Sequence, residues 1–245
     1  MDEAIFFSSV LLEKNRQSSR VPSFLVSDWA EPIADAGFDG IELWENHVLL
    51  ADAAEGEAVL GGPLPVTVLN TYCKFDDAGT KGREASAELA RFLNVSAVKF
   101  NFGDDPTMEQ SYIDTLLTWR EELPADCRLL CECHPDTIVE DPEKAIGILS
   151  PSRADIEIIV HALSGDDDST LRRWLDFFGP RVTHVHAVIG ERRRAARRVE
   201  ILKRAGFSGT WSIEFCNGIE QPPEDMTKLL ATAAADLQYL RGEIE

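Results

Sequence analysis

Eight short apolar runs, each followed or preceded by an amphipathic stretch, fix the architecture open to this chain. The runs fall at 5–11, 40–45, 66–72, 97–102, 128–134, 156–162, 182–188 and 210–215. The amphipathic stretches occupy 22–36, 82–93, 107–122, 142–149, 169–178, 194–205 and 224–241, with a weaker one at 51–60. Strands joined by helices run parallel, because the crossover returns the chain to the edge it left. Eight such units in 245 residues predict an α/β fold, one (β/α)8 TIM barrel over 1–245. The competing open doubly wound sheet usually carries a Gly-rich phosphate loop after an early strand. Here Gly61-Gly62-Pro63 precedes a strand and reads as a turn. Asp105-Pro106 and Asp141-Pro142 read as helix starts, and Ala36-Gly37 and Ala205-Gly206 as helix ends.

Composition narrows the function. Hydrophobic residues make up 44% of the chain, enough for a core that needs no metal or disulfide to fold. Asp and Glu number 43 against 24 Lys and Arg, a net charge of −19 that repels nucleic acid and anionic lipid. The five cysteines are odd in number and contain no CxxC, so reduced thiols are expected. The start Met1-Asp2-Glu3-Ala4 has no basic leader region, and no apolar run reaches the length of a membrane span. A cytoplasmic protein is the expectation.

Four successive strands end in ionisable groups: Glu132 with His134, His161, His184 with His186, and Glu214. Burying a charge without a partner is costly, so one shared site is the simplest account. Alternation of side chains sorts the strands. Leu130, Glu132 and His134 share one face; so do His184, His186 and Val188, and so do Ser212, Glu214 and Cys216, opposite Trp211, Ile213 and Phe215. Glu42 with Trp44, Asn70 with Tyr72, and Lys99 with Asn101 fall on the corresponding faces of the earlier strands. These faces fill a barrel and, at the C-terminal strand ends, line its site. Trp44, Asn70, Lys99, Asn101 and Tyr72 are then candidate walls, and Glu42 either meets substrate or pairs with Lys99. His184 lies one layer deeper and reads as a hydrogen-bonded core histidine. His47 reads as a loop residue.

Two carboxylates and two imidazoles converging on one point make a divalent-metal site, and mixed oxygen and nitrogen donors suit Mg least. Such a site polarises a substrate carbonyl or hydroxyl, while carboxylates on either side move protons.

The segments 36–44 (AGFDGIELW), Glu132-Cys133-His134-Pro135, His184-Val185-His186 and Trp211-Ser212-Ile213-Glu214 resemble the xylose-isomerase-like TIM barrel superfamily, the sugar phosphate isomerase/epimerase group. The resemblance covers nearly the whole chain. It implies one divalent ion (Mn, Co, Zn, Fe or Mg) held by Glu, Asp, His and Glu at the ends of strands five to eight. Glu132, His186 and Glu214 match that set, with Glu132 and Glu214 doubling as the acid/base pair. It further implies that His134 and Arg192 contact substrate and that the chain forms a homo-oligomer. Strand six departs from the pattern: it ends in His161 and shows no Asp before Asp166. Either His161 replaces the Asp as ligand, or it is a substrate histidine and the Asp is lost. The implied activity is isomerisation or epimerisation of a small carbohydrate, sugar or sugar phosphate, through a metal-stabilised enediolate. A dehydratase on the same site is the alternative, and a carbohydrate-binding barrel without metal is another. An endonuclease of the abasic-site repair type would need a basic groove that this composition does not offer.

Overall fold

The computed structural model describes residues 3–149, 153, 155–161, 167–216 and 225–245. Eight parallel strands close into a barrel in chain order. They are β1 Ile5–Ser8, β2 Gly40–Trp44, β3 Val66–Asn70, β4 Ala97–Phe100, β5 Arg128–Glu132, β6 Ile156–Val160, β7 Val182–Val188 and β8 Thr210–Phe215. The helices are α1 Ala30–Asp35, α2 Asn46–Leu49, α3 Ala53–Leu60, α4 Thr80–Leu93, α5 Glu109–Arg120, α6 Pro142–Ile148, α7 Asp168–Phe178, α8 Arg192–Arg204 and α9 Met226–Ile244. The TIM barrel expected from the alternation is the fold observed. Several strands are shorter than their apolar runs, because the run continues into the loop at the barrel mouth. The run 5–11, for example, leaves β1 at Ser8 and turns through a 3-10 segment, Ser9–Leu11. The amphipathic stretch 22–36 is helical only over Ala30–Asp35, after a short 3-10 turn.

The cap signals act as read. Asp141 accepts from the Glu143 N–H with Pro142 at the first helical position. Asp105 accepts from the Thr107 N–H, but it caps a 3-10 turn, Pro106–Met108, ahead of α5. Gly37 and Gly206 follow helix ends with φ of 94° and 78°, a region only glycine enters without strain.

Outward strand residues pack against the helices in one continuous core that includes Phe7, Leu43, Leu69, Val98, Leu129, Ile158, Val185 and Ile213. Inside the barrel, Phe6, Val68, Ala97, Leu130 and Ile159 form an apolar floor. Above that floor the interior turns polar: Glu42, Asn70, Lys99, His184, His186 and Ser212 are all buried. No helix among the described residues is long and apolar enough to cross a membrane.

One buried acid lies away from the barrel interior. Burial pushes the Asp236 carboxyl on α9 up to about 6, with Arg192 opposing. A carboxyl with a higher pKa folded than unfolded penalises the native state as pH rises past the unfolded value of 3.8, and the penalty is complete above about 6. Asp236→Asn is therefore expected to raise thermal stability at pH 8 by roughly 1 kcal/mol, after allowing for its partial hydration. That gain should shrink toward pH 4 in parallel melting curves.

Candidate metal centre

The ends of β5 to β8 bring four side chains together. Donor atoms of Glu132, His161, His186 and Glu214 all lie within 4.8 Å of one another. His161 Nε2 is 2.8 Å and His186 Nδ1 3.1 Å from Glu132 Oε1. Glu214 Oε2 lies 3.5 Å from His186 Nδ1 and 3.7 Å from His161 Nδ1. These are the separations of atoms ringed about one centre. Ligands at about 2.0–2.2 Å from a divalent ion stand roughly 3–4 Å apart. Glu214 Oε2 is buried, and no hydrogen bond reaches it among the described residues. An ionised oxygen left in that state is costly unless a cation meets it. The donor set and the orphaned oxygen both fit a divalent ion.

Glu132 is presented by its outer partners. Lys99 Nζ lies 2.7 Å from its Oε2, and Asn101 Nδ2 donates to the same oxygen at 2.8 Å. Asn101 Oδ1 in turn accepts from Lys99 at 2.6 Å. Oε2 is thereby occupied and Oε1 faces the histidines. Burial alone would raise this carboxyl, but the Lys99 ammonium and bonds from His161 and His186 hold it well below the usual range. Glu214 goes the other way: burial raises it, and the charges of His186 and His161 only partly offset that. The two carboxylates are therefore chemically unequal.

A second layer lies beneath. Glu42 Oε1 is 3.2 Å from His186 Nε2 and accepts from Asn70 Nδ2 at 2.7 Å. Glu42 Oε2 accepts from the Ser212 hydroxyl at 2.6 Å and lies 3.3 Å from His184 Nε2. His184 also meets Thr210 Oγ1 at 2.7 Å, which makes it the hydrogen-bonded core histidine expected. Burial opposes its ionised state, but His186 and the bonds from both histidines hold Glu42 well below its ordinary value. Glu42 does not pair with Lys99, whose bridge goes to Glu132. A carboxylate behind a histidine fixes the ring's tautomer and direction.

The cluster opens into a recess of about 210 Å³. Trp44, Tyr72 and His134 line it, as their strand positions suggested, together with Arg16, Gln17 and Arg20. Gln17, His134 and His161 also border a larger cavity of about 670 Å³ toward α6 and α7. Glu42, Asn70, Lys99 and Asn101 brace the cluster instead of lining this recess.

Three expectations need correction. Arg192 begins α8 and stacks over the Tyr239 ring at 4.9 Å, while its carbonyl accepts from the Tyr239 hydroxyl. The turn into α8 sends it toward α9, so the structure does not bring it to the recess. His47 is not a loop residue: it is buried on α2 between the Phe24 and Trp44 rings, and burial lowers its pKa to about 4. The third concerns Phe215. Pairing of β7 with β8 skips from Ala187↔Ile213 to Val188↔Phe215, leaving Glu214 as the extra residue of a bulge. A bulge re-aims the following side chains. Phe215 thus joins Val10, Trp44 and Val188 at the mouth, and Cys216 packs in the outer core. Strict alternation had assigned both to the opposite faces. Asp166, the first acid after His161, lies outside the described residues.

The sequence matches no family model and no curated protein. The fold has solved counterparts along its whole length. D-psicose 3-epimerase from Clostridium cellulolyticum H10, solved with D-tagatose, superposes with a TM-score of 0.69 at 12% identity, over 99% of both chains. The probable 3-DHS dehydratase AsbF of Bacillus anthracis gives 0.65 at 15% identity, covering 96% of this chain and 98% of that one. The IolI protein with a bound zinc atom gives 0.65 at 14% identity, over 98% of each. The chain has the xylose isomerase-like TIM-barrel fold.

Proposed function

We propose that this protein is a metal-dependent isomerase or epimerase of a small carbohydrate. The observation that carries the reading is the convergence of Glu132, His161, His186 and Glu214 within 4.8 Å at the C-terminal mouth of the barrel, beside an open recess. Glu132 Oε1, His186 Nδ1, Glu214 and His161 would hold one divalent ion, with His161 standing where the resemblance leads one to expect Asp. Bound there, the ion supplies Lewis acidity toward a substrate carbonyl or hydroxyl. The epimerase among the structural counterparts and the zinc in another are consistent with this chemistry.

Proton transfer falls to the chain's own carboxylates. Glu214 borders the recess, is raised by burial, and has an oxygen that no hydrogen bond reaches among the described residues. An ionised carboxylate bordering the recess is placed to remove a proton beside a substrate carbonyl. Glu132 also borders the recess, but Lys99 and Asn101 hold its second oxygen and favour its ionised form. Its main part is to hold the ion, and returning the proton is its secondary one. Trp44 and Tyr72 form part of the recess wall, and His134 would offer substrate a polar group at the rim.

Elemental analysis of untreated protein tests the reading first. About one divalent ion per chain is expected, followed by turnover of a ketose with that ion and uptake of solvent deuterium at the exchanged carbon. Protein with neither a stoichiometric ion nor turnover of any ketose would defeat it. A product that has lost water would instead establish the dehydratase, the chemistry of another counterpart. Glu42→Gln should weaken metal binding by roughly 10–100-fold in chelator competition, because His186 loses the carboxylate that orients it.

A further inference from the structure

We propose that the substrate is a carbohydrate carrying an uncharged apolar substituent, and that this substituent seats in the cavity between the β6 end, α6 and α7. This deepens the carbohydrate reading above and rests on it.

Two spaces meet at the barrel mouth. Ligand sites usually enclose about 300–1,000 Å³. The recess at the Glu/His cluster, about 210 Å³, falls below that range, whereas the neighbouring cavity, about 670 Å³, lies within it. Gln17, His134 and His161 line both, so one molecule can occupy the two together. His134 Nδ1 donates to the Pro135 carbonyl at 2.7 Å, which leaves Nε2 of the neutral ring as an acceptor. With the Gln17 amide, the junction is polar and suits the hydroxyls of a carbohydrate.

Beyond the junction the wall changes character. Its charged members are already engaged by the chain itself. Lys144 Nζ lies 2.8 Å from Glu140 Oε1. Asp141 caps α6 and pairs with Arg173. Asp167 caps α7 through the Thr170 N–H and accepts from the Ser169 hydroxyl. Arg198 is buried, with Nε 3.2 Å from Asp168. The apolar members include Pro135, Pro142, Val160, Leu171 and Trp174. The last three are buried, and the Trp174 ring stacks on Phe178 at 5.5 Å. None of residues 162–166, which lie outside the described residues, enters this wall.

That wall decides the occupant. A charged group of either sign would leave water to meet partners that are already taken. A second sugar ring would turn hydroxyls toward Val160, Leu171 and Trp174, at the cost of their hydration. An uncharged apolar group breaks no ion pair and gains by leaving water.

The test measures binding to the full-length protein by NMR titration, metal-free and saturated with Zn²⁺. The probes are glycerol and 3-benzyloxypropane-1,2-diol, with glucosylglycerol and 3-aminopropane-1,2-diol as the polar and cationic controls. The benzyl ether should bind about tenfold or more tightly than glycerol in both metal states, and the controls at most about threefold. Nuclear Overhauser contacts should run from the benzyl ring to the methyl groups of Val160 and Leu171. Thr170→Phe places a ring in the cavity and keeps the backbone N–H that Asp167 caps. It should bring the benzyl ether to within about threefold of glycerol, at the parent's metal content. Equal binding of the benzyl ether and glycerol, a control that binds as well as the benzyl ether, Overhauser contacts elsewhere, or an undiminished preference in Thr170→Phe overturns the proposal. If Thr170→Phe does not fold, the Overhauser contacts decide. One ion per chain and ketose turnover without benzyl preference defeat this inference alone. Benzyl preference in a protein that binds no metal and turns over no ketose defeats the isomerase reading alone.

Discussion

In Glu214→Gln protein, bound divalent ion should fall from about one per chain to near zero, and ketose turnover by roughly a thousandfold or more. The amide preserves the shape of the side chain and removes its charge. The orphaned Oε2, 3.5 Å from His186 and 3.7 Å from His161, then offers the ion no negative ligand and the substrate no base. Folding should survive. Burial already raises this carboxyl, so its ionised form burdens the native state. A variant that melts at or above the temperature of the metal-free parent while losing metal and turnover would separate a functional carboxylate from a structural one. Full metal and full turnover in the variant would remove Glu214 from the site. Metal uptake has a fixed pH sign: burial raises Glu214 in the metal-free protein, and an ion bound there displaces its proton, so affinity for the ion should rise with pH through that group's titration.

The barrel was legible because a parallel strand buried on both faces writes an unmistakable apolar run, and eight of them alternate with helical stretches. The Glu/His cluster was legible for the complementary reason: Glu132, His186 and Glu214 interrupt such runs at their C-terminal ends. What alternation could not reveal is a change of register. The bulge at Glu214 places Phe215 at the mouth, against its parity, and nothing local in Trp211-Ser212-Ile213-Glu214-Phe215 announces it. Loops were harder still. Arg16 and Arg20 belong to a segment without periodicity, held by long-range bonds such as Asn46 to the Arg20 carbonyl. Arg192, the substrate contact that the resemblance implied, opens a dense basic stretch on α8, yet it faces Tyr239, and Arg198 further along pairs with Asp168 of α7. Charge density along a helix marks a helix, whereas an arginine in an irregular loop can line the recess. Pairing inside the barrel was ambiguous for a similar reason: Glu42 and Glu132 both lie within a strand or two of Lys99, and only the closed barrel decides that Glu132 takes it.

Lys99→Met should lower the stability of the metal-free protein by about 3–5 kcal/mol, and a divalent ion should restore much of the loss. Lys99 is fully buried and its ammonium lies 2.7 Å from Glu132 Oε2. It also sits over the Tyr72 ring at 3.8 Å. Methionine fills similar space, so the variant tests charge more than packing. Without the lysine, Glu132 is a fully buried carboxylate facing a second one across His161 and His186, and removing one member of a buried ion pair leaves the other uncompensated. Burial, the largest influence on Glu132, then acts unopposed by its strongest cation, and the carboxyl moves upward. A divalent ion held by Glu132 would supply the missing charge. The melting temperature of Lys99→Met should therefore respond to added metal more strongly than that of the parent, with the two proteins converging at saturation. Equal metal-induced shifts in the two would mean that the ion and Lys99 do not share Glu132, and the division of its two oxygens between lysine and metal would fall with that result. A saturated variant that stays as unstable as its metal-free form would place the ion elsewhere.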